Sequence, residues 1–557
     1  MATERELKYD LDPATLDGDR ASVDGSCQSE AESDGPQPVD LDGLAVIVGP
    51  SRTITLVADY WDTPSGRLRA WGVTMRHRSA SDGSEAGWTV KVPVPGPPPA
   101  LIFAQPSKPS PPPGPSAAVR SRREIDVPGT DAEPPGRVLA VVSGLVGDEA
   151  LCRVARVTTF RTSTDVAATG RRPGFDPGVR TDEDLVIAEV PDAVERFGQL
   201  EIESTGDDAL LAHMAHWADD IGLVHSAAAN KLERALGPST DVIAASEPLD
   251  ARSSLRTVVQ SAISVPLRSM LAVDALLRDD VTSIPPPGSA EERWHPDPSA
   301  WRVAQLNARR LRDLLVSLRP QLHEPLGDST LQAISQFVGL LDDLDDAHTI
   351  VARLRPLGET NPFTTSVEVE FERAGRALSS ALHSPTHREM LASLETASSR
   401  SPYATALDGS ALDQSATAAS LLLEANAAAW LRLEETVDAT ATVPAGSKAA
   451  DAAVSVALDA TAAARAIAEL SAPVLGTGAT QAAERLGHLE SELTARRDAV
   501  MFQHWIEHFV VDRGASLDSA TAFRAGELHM AARLDPARAD DWHPVWDRAR
   551  KRRPSRW

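Results

Sequence analysis

The 557-residue chain is poor in cysteine, in aromatic residues and in positive charge. Its two cysteines, Cys27 and Cys152, are too few for a disulfide framework or a cysteine-based zinc site. Aromatic residues make up only 4 % of the chain while prolines number 41, which predicts that some segments are disordered. The net charge of −25 argues against non-specific nucleic-acid binding by the chain as a whole.

Long apolar runs are also lacking. No stretch of about 20 apolar residues predicts a membrane span, and the N-terminal residues contain no apolar segment typical of a signal peptide. We therefore expect a cytoplasmic protein that does not contact a membrane. The length is too great for a single hydrophobic core and predicts two to four domains.

What the chain does contain changes in character near residues 241–250, which we interpret as a linker. Residues 1–240 carry short alternating runs typical of strands, with two low-complexity insertions, about 17–38 and 93–116, that we expect to be disordered. Residues 251–535 are rich in Ala, Leu, Glu and Arg at helical spacing, and residues 536–557 form a basic tail. The pattern predicts a multidomain α+β protein with a β-rich N-terminal domain and an all-α C-terminal domain.

Charged residues alternate at the very start of the chain. Glu4, Glu6 and Lys8 are spaced by two residues, so a strand would place all three side chains on one face. Magnesium takes one or two carboxylates and completes its shell with water and phosphate oxygens, and lysine binds phosphate as a point charge. This face therefore indicates a pocket for a divalent cation and an anion together.

Four further candidate strands have charged residues on one face: Arg76 and Arg78; Lys91; Arg122 and Glu124; Glu201 and Glu203. For any single strand, a solvated charged face is the simpler interpretation. The alternative is a closed barrel whose lumen is charged, with cations that bind phosphate and carboxylates that hold a metal. The recurrence of the pattern in several strands favours the barrel.

In their order along residues 3–240, these motifs resemble the signature of the CYTH domain, the triphosphate tunnel metalloenzyme family. The segments that carry the resemblance are Glu4-x-Glu6-x-Lys8, Tyr60-x-Asp62-Thr63, Arg76-x-Arg78, Trp88-x-x-Lys91, Arg122-x-Glu124, Arg161, Gln199-x-Glu201-x-Glu203 and Lys231. In the last acidic triplet, Gln199 stands where the family pattern has a glutamate, which removes one tunnel carboxylate.

The resemblance implies an eight-stranded antiparallel tunnel barrel that binds triphosphate or polyphosphate with Mg²⁺ or Mn²⁺. The residues implied to bind phosphate are Lys8, Arg76, Arg78, Lys91, Arg122, Arg161 and Lys231. The residues implied to act in catalysis and to bind metal are Glu4, Glu6, Glu201 and Glu203. Asp192 is implied as a further metal ligand.

The helical half resembles the CHAD domain, a helical domain that commonly follows CYTH. The resemblance lies in the segment from Trp301 to Arg312 and in Asp343-x-Asp345, and it implies polyphosphate binding by basic helix faces. Arg302, Arg309 and Arg312 fall on one side of a helix.

The helical half also departs from the CHAD pattern. Ser455, Ala462 and Ala463 stand where a basic series is expected, and residues 321–530 hold 29 acidic against 14 basic residues. A surface of that charge repels polyanions. The alternative interpretation of the arginines is therefore a solvated face or structural ion pairs, in a weakened or repurposed domain.

Two other motifs carry little weight. The segment from His504 to His508 spells H-x-x-E-H, an inverted zinc-protease motif, but no third ligand is evident. Gly476-x-Gly478 has no strand before it and is not a nucleotide fingerprint.

The sequence thus supports one main hypothesis of function, metal-dependent hydrolysis of inorganic triphosphate or short polyphosphate in the barrel. The alternative is a non-catalytic module that binds phosphate or polyphosphate and whose helical half contacts a partner protein. Adenylate cyclase activity occurs in relatives with this barrel, but no residue pattern here selects a nucleobase.

Overall fold

The computed structural model describes most of both halves of the chain. The residues it describes are 3–13, 37–41, 44–83, 86–94, 120–129, 133–168, 178–228, 230–237, 243, 248–286, 294–319, 326, 328–358, 361–400, 418–444, 446–535 and 542–554. They divide into two compact units, an N-terminal one that reaches residue 237 and a C-terminal one that begins at Ile243.

The N-terminal unit is a closed antiparallel barrel. Its strands are β1 (Thr3–Leu11), β2 (Gln37–Leu41), β3 (Leu44–Val48), β4 (Arg52–Asp62), β5 (Thr74–Ala80), β6 (Gly87–Pro93), β7 (Arg120–Val127), β8 (Cys152–Ala168), β9 (Val179–Val190), β10 (Ala193–Ser204) and β11 (Val224–His225). Eight of them pair in the order β8-β4-β5-β6-β7-β1-β10-β9, and β9 returns to β8. The predicted eight-stranded antiparallel barrel is confirmed.

The other three strands lie outside that ring. The β2–β3 hairpin extends the sheet from β8, and β11 pairs with β1. Within the described residues, the helices that accompany the barrel are α1 (Arg67–Ala70), α2 (Gly136–Val146), α3 (Asp208–Asp220) and α4 (Lys231–Leu236).

The alternation of side chains separates an apolar outer layer from a charged lumen. On β1, Leu7 and Tyr9 pack outward in one cluster with Leu200 and Ile202 of β10 and with Leu211 of α3. The intervening Glu6 and Lys8 therefore point inward, because neighbouring side chains of a strand face opposite sides of the sheet. Burial of the apolar face fixes the strand register, and the register fixes which charges enter the lumen.

An apolar cluster fills part of the lumen. Phe197 of β10 and Tyr60 of β4 are buried in one cluster with Val157 and with Leu232 of α4. Helix α4 is held in place by Asn230, whose side chain accepts a hydrogen bond from the backbone N–H of Glu233. Lys231 is the first residue of α4, so the same cap also positions this lysine.

The described part of the C-terminal unit is entirely helical, as predicted. Its helices are α5 (Leu255–Thr282), α6 (Ser299–Ser317), α7 (Asp328–Leu354), α8 (Pro362–Leu382), α9 (Pro385–Arg400), α10 (Ala418–Thr440), α11 (Lys448–Leu475), α12 (Thr477–Arg513), α13 (Ser519–Arg533) and α14 (His543–Ala549). None of the described helices is both long and apolar enough to cross a membrane. A cytoplasmic location stays a prediction.

Regular structure reaches the edges of the two insertions that were predicted to be disordered, and the predicted basic tail contains a helix. The second strand begins at Gln37 and the sixth ends at Pro93, inside the margins of the two expected insertions, whereas residues 17–36 and 95–116 lie outside the described residues. Within the expected basic tail, Trp542 and Trp546 are buried in a core cluster with Leu433 and Leu489. The two tryptophans bury a large apolar area, which holds the segment that contains them against the helical core.

Candidate functional site

A cavity of about 310 Å³ lies in the barrel lumen and is lined by fourteen residues. Eight of them are cations: Lys8, Arg76, Arg78, Lys91, Arg122, Arg161, Arg180 and Lys231. Three more are carboxylates: Glu124, Glu201 and Glu203. All seven residues predicted to bind phosphate therefore line one space.

Glu201 is the centre of the ion pairs in this cavity. Its Oε1 accepts hydrogen bonds from Lys8 Nζ and Lys231 Nζ, both at 2.8 Å, and its Oε2 accepts one from Arg161 Nη2 at 2.7 Å. Burial alone would raise the pKa of Glu201, but Lys231, Lys8 and Arg161 outweigh burial and hold that pKa well below its usual range. Glu201 is consequently a fixed negative charge.

Arg161 joins Glu201 to two acids of β9 that the sequence analysis missed. Its guanidinium donates to both carboxylate oxygens of Asp184, at 2.9 and 2.8 Å, and lies 2.7 Å from Asp182. Asp182 is buried, and this burial raises its pKa in spite of the nearby Arg161. The i, i+2 spacing of these two acids is the strand pattern that could have found them.

Glu6 has an oxygen that the surrounding side chains do not satisfy. The carboxylate is buried, with Lys8 Nζ 3.0 Å from Oε2 and Arg122 Nε 3.9 Å from Oε1. Among the described residues, Oε1 has no hydrogen-bond partner. Burial opposes ionisation of Glu6, but Lys8, Lys91 and Arg122 together lower its pKa, so the unsatisfied oxygen carries negative charge although it is buried.

The part of the lumen that carries Lys91 and Arg76 supplies hydrogen-bond donors. Lys91 Nζ lies 2.6 Å from Glu124, and Arg76 Nη1 donates to the hydroxyl of Tyr60 at 3.5 Å. Arg76 Nε is buried without a hydrogen-bond partner in the part of the chain that the structure describes. Burial would raise the pKa of Tyr60, yet Arg76 and Lys231 lower it, which shows how positive this wall is.

Arg180 and Glu203 form a further pair in the cavity. Arg180 Nη2 donates to Glu203 Oε2 at 2.5 Å, and Arg180 Nε lies 3.4 Å from Asp182. The sequence analysis did not select Arg180. It begins the inward series of β9, two residues before Asp182.

Three further residues that the sequence analysis singled out, Asp192, Glu4 and Gln199, differ in their positions in the barrel. Asp192 is exposed in the turn between β9 and β10, and the structure does not bring it to the cavity. Glu4 pairs with Arg122 in the backbone register of β1 and β7, but its side chain lies outside the described part. Gln199 is fully buried next to Asp184 in register, and neither amide atom has a hydrogen-bond partner among the described residues.

The carboxylates in and beside the lumen suit a metal ion that is bound mainly by the phosphates of a substrate. Within the described residues, no group of three or more His, Cys, Asp or Glu side chains is arranged to hold a metal. Magnesium, however, often takes only one or two carboxylates together with water and substrate phosphates. The unsatisfied Oε1 of Glu6 suits that mode. Glu6 adjoins the cavity through its contact with Lys8, whereas Glu201 and Glu203 line the cavity itself.

In the helical unit, each arginine predicted to bind polyphosphate already contacts an aspartate. Arg302 Nε lies 3.0 Å from Asp345 and Arg309 Nη2 lies 2.7 Å from Asp342. Arg312 Nε lies 2.9 Å from Asp313, one residue along its own helix. The alternative of structural ion pairs therefore describes the geometry of this face.

Comparison with known families bears on the same unit. Residues 289–507 match the family model of the CHAD domain. The helical unit contains a CHAD domain. The match confirms the CHAD domain that the sequence analysis recognised, and the closed eight-stranded barrel that precedes it is the fold that the resemblance to CYTH implies. No curated protein matches the chain.

Solved structures resemble each part of the chain at low sequence identity. The CHAD domain of the plant Ricinus communis is 18 % identical and covers 56 % of this chain and 94 % of its own (TM-score 0.40). PptA from Streptomyces chartreusis is 16 % identical and covers 54 % and 100 % (TM-score 0.40). A putative adenylyl cyclase from Hippeastrum, described as revealing a dominant triphosphatase activity, is 14 % identical and covers 42 % and 97 % (TM-score 0.25).

The H-x-x-E-H motif lies on α12 of the CHAD domain. Glu507 accepts a hydrogen bond from Gln503 at 2.8 Å and contacts His529 Nε2 at 3.0 Å. Among the described residues it belongs to no group that could hold a metal. The motif is accounted for by these side-chain contacts.

Proposed function

We propose that the barrel lumen hydrolyses inorganic triphosphate or a short polyphosphate with the aid of Mg²⁺ or Mn²⁺. The observation that carries this proposal is the convergence of eight cationic side chains on one cavity of about 310 Å³. They come from six strands and from α4, so only a ligand that spans the lumen could engage them all. The described carboxylates in the network are Glu6, Glu124, Asp182, Asp184, Glu201 and Glu203, which are two fewer than the cations.

The chemistry follows from positioning and charge. Arginine forks and lysine ammonium groups neutralise the phosphoryl oxygens, whose charge is redistributed in the transition state. Glu6 and Glu201 are ionised at neutral pH, because the surrounding cations lower their pKa values. We assign the orientation of the attacking water to Glu6, because its Oε1 lacks a hydrogen-bond partner among the described residues. A bound divalent cation would supply further charge neutralisation of the phosphate chain.

The test is phosphate release from tripolyphosphate in a metal series, comparing Glu6→Gln with the native chain. We expect Glu6→Gln to lower the rate by about 100-fold or more, in the range typical of an acid–base group. Glu183→Gln, on the outward face of β9, is the matched control and should leave the rate unchanged. No metal-dependent release from the native chain would remove the catalytic proposal.

A non-catalytic phosphate-binding barrel is the second candidate. It is favoured by Gln199, which replaces one carboxylate, and by the ion pairs of Glu201 and Glu203. Binding of tripolyphosphate, measured by calorimetry, without any phosphate release would support this second function. Absence of both binding and release would reject both candidates.

Polyphosphate binding by the CHAD domain is a weaker proposal. It would require Arg302, Arg309 and Arg312 to leave their aspartate partners. Neither a partner protein nor a polyphosphate chain length follows from the contacts around these arginines.

A further inference from the structure

A second and larger cavity, of about 700 Å³, lies in the CHAD domain between α6, α10 and α11. Its walls are mainly small apolar side chains: Val316, Ala428, Ala429, Val456, Ala460 and Ala463. Val316 and Val456 remain exposed to solvent, at 44 % and 54 % of their surface. A cavity of this volume suits a drug-sized molecule with an apolar body.

Four charged residues also line this cavity, and two of them are paired. Arg312 donates to Asp313 at 2.9 Å, and Asp313 is buried. Arg432 of α10 and Asp459 of α11 make no hydrogen bond or ion pair with any other described residue, although Arg312 and Arg309 attract Asp459 from a longer distance. Both are exposed to solvent, so the cavity presents one cation and one anion that a ligand could pair.

The residues that line this cavity disfavour the binding of a polyanion. Ala463 stands where the resemblance to the CHAD family predicts a basic side chain, and Asp313 and Asp459 would repel a phosphate chain. A ligand with a single charge would pair only one of Arg432 and Asp459 and would leave the other exposed beside apolar surface. A ligand with both charges is complementary to the whole cavity.

We propose that this cavity binds a small zwitterionic amphiphile, with its apolar body against the Val and Ala walls, its ammonium group at Asp459 and its anionic group at Arg432. The apolar body loses contact with water, which drives binding. The two charges select the ligand and fix its orientation. This site is separate from the barrel lumen and does not depend on the function proposed there.

The experiment compares three probes that each have a straight chain of ten carbons, all kept below their critical micelle concentrations. Decylphosphocholine is the zwitterion, decyltrimethylammonium the cation and decanoate the anion. Isothermal titration calorimetry on the full chain should show the tightest binding for decylphosphocholine. Equal or tighter binding of either singly charged probe, or no binding of decylphosphocholine, would overturn the proposal.

Substitutions of the two charged residues test whether the probe binds in this cavity. Asp459→Asn and Arg432→Gln should each raise the dissociation constant of decylphosphocholine by about tenfold, because each variant removes one of the two charges that attract the probe. Asp438→Asn and Arg485→Gln change exposed residues elsewhere on α10 and α12 and should have no effect. If the site variants behave like these controls, the proposal is wrong.

A filling variant gives an independent check. Ala460→Phe should abolish binding, because the new ring occupies the cavity. If this buried change prevents folding, the two exposed charge variants still decide the matter. Displacement of decylphosphocholine by long-chain polyphosphate would show that the cavity accepts polyanions and would overturn the proposal.

Discussion

The barrel and the CHAD domain differ in the charges that surround their buried carboxyl groups. In the barrel, cations outnumber carboxylates around the lumen, and the pKa values of Glu6 and Glu201 are lowered. In the CHAD domain, aspartates surround the arginines, and burial raises the pKa values of Asp313 and Asp346 to about 6. Basic motifs alone therefore do not identify a polyanion site, because the acids nearby decide whether the arginines are available.

The difference follows from geometry. A closed barrel aims every second side chain of each strand at one axis, so cations of distant segments meet in a small volume. A helix projects its side chains outward at about 100° per residue, so each arginine meets whatever the neighbouring helix presents. For Arg302 and Arg309, the neighbour is α7, and it presents aspartates.

The largest expected effect comes from removing one buried cation of the barrel. Arg161→Met removes one cationic partner from each of Asp182, Asp184 and Glu201, and the side chain of Arg161 is only 11 % exposed. We expect the barrel to lose about 3–5 kcal/mol of unfolding free energy, as for other buried pairs that lose one partner. Urea denaturation of the full chain measures this loss.

Arg302→Met is the matching change in the CHAD domain. The side chain of Arg302 is 49 % exposed, so breaking its pair with Asp345 should cost no more than about 1 kcal/mol. Equal losses for Arg161→Met and Arg302→Met would contradict the contrast between the two units.

The next effect separates binding from folding in the lumen. Arg76 contacts the hydroxyl of Tyr60 at 3.5 Å, and no described carboxylate forms an ion pair with it. Arg76→Gln should therefore fold normally but bind tripolyphosphate about 10- to 100-fold more weakly, as expected for one lost charged hydrogen bond.

The control for this variant is Arg156→Gln. Arg156 is exposed and pairs with Asp59 outside the lumen, at 2.8 Å. Its change should leave tripolyphosphate binding, measured by calorimetry, at the native value. Unchanged binding by Arg76→Gln would place the anion elsewhere.

The pH dependence of stability should have opposite signs for Glu6 and Glu201 of the barrel and for Asp313 and Asp346 of the CHAD domain. Asp182, whose pKa is raised by burial, opposes Glu6 and Glu201 and reduces the slope of the barrel. Glu6 and Glu201 have lowered pKa values, so their contribution to barrel stability is present above the ordinary value of 4.5 and is lost as the pH falls below it. Asp313 and Asp346 have pKa values raised from 3.8 to about 6, so their contribution is present at low pH and is lost as the pH rises through 6.

Hydrogen exchange between about pH 2.5 and 8, read by mass spectrometry for peptides of each unit, measures the two slopes separately, the change in the barrel falling below about pH 4.5. Free energies of opening are compared after correction for the intrinsic exchange rate. Asp313→Asn and Asp346→Asn should flatten the slope of the CHAD domain. Slopes of the same sign in both units would disprove the assignment.

The smallest expected effect concerns the arginines of α6. Arg302, Arg309 and Arg312 all contact aspartates, so changing the three to Ala should alter long-chain polyphosphate binding by less than about threefold. The measurement uses a chain that also carries Arg76→Gln, to reduce binding in the barrel. Abolished binding would instead support the polyphosphate grip predicted from the sequence.

Strand alternation predicted much of the lumen. Lys8, Arg78 and Lys91 line the cavity as the period of two requires. The acids of β9 were missed because their effect depends on the pairing of β8 with β9, which places Asp184 opposite Arg161. That register is set by contacts between distant segments, and Asp192 was selected instead from a short local match.

The amino-acid sequence by itself determined the two architectures and the inward face of each strand, because alternation of apolar and charged residues is a local property that burial enforces. Only the tertiary structure decided which charges meet. It brought Arg161 to three carboxylates, left one oxygen of Glu6 unsatisfied and tied the arginines of α6 to aspartates of α6 and α7. Ion pairing depends on distances of a few ångströms between segments far apart in the chain, and no local pattern encodes those distances.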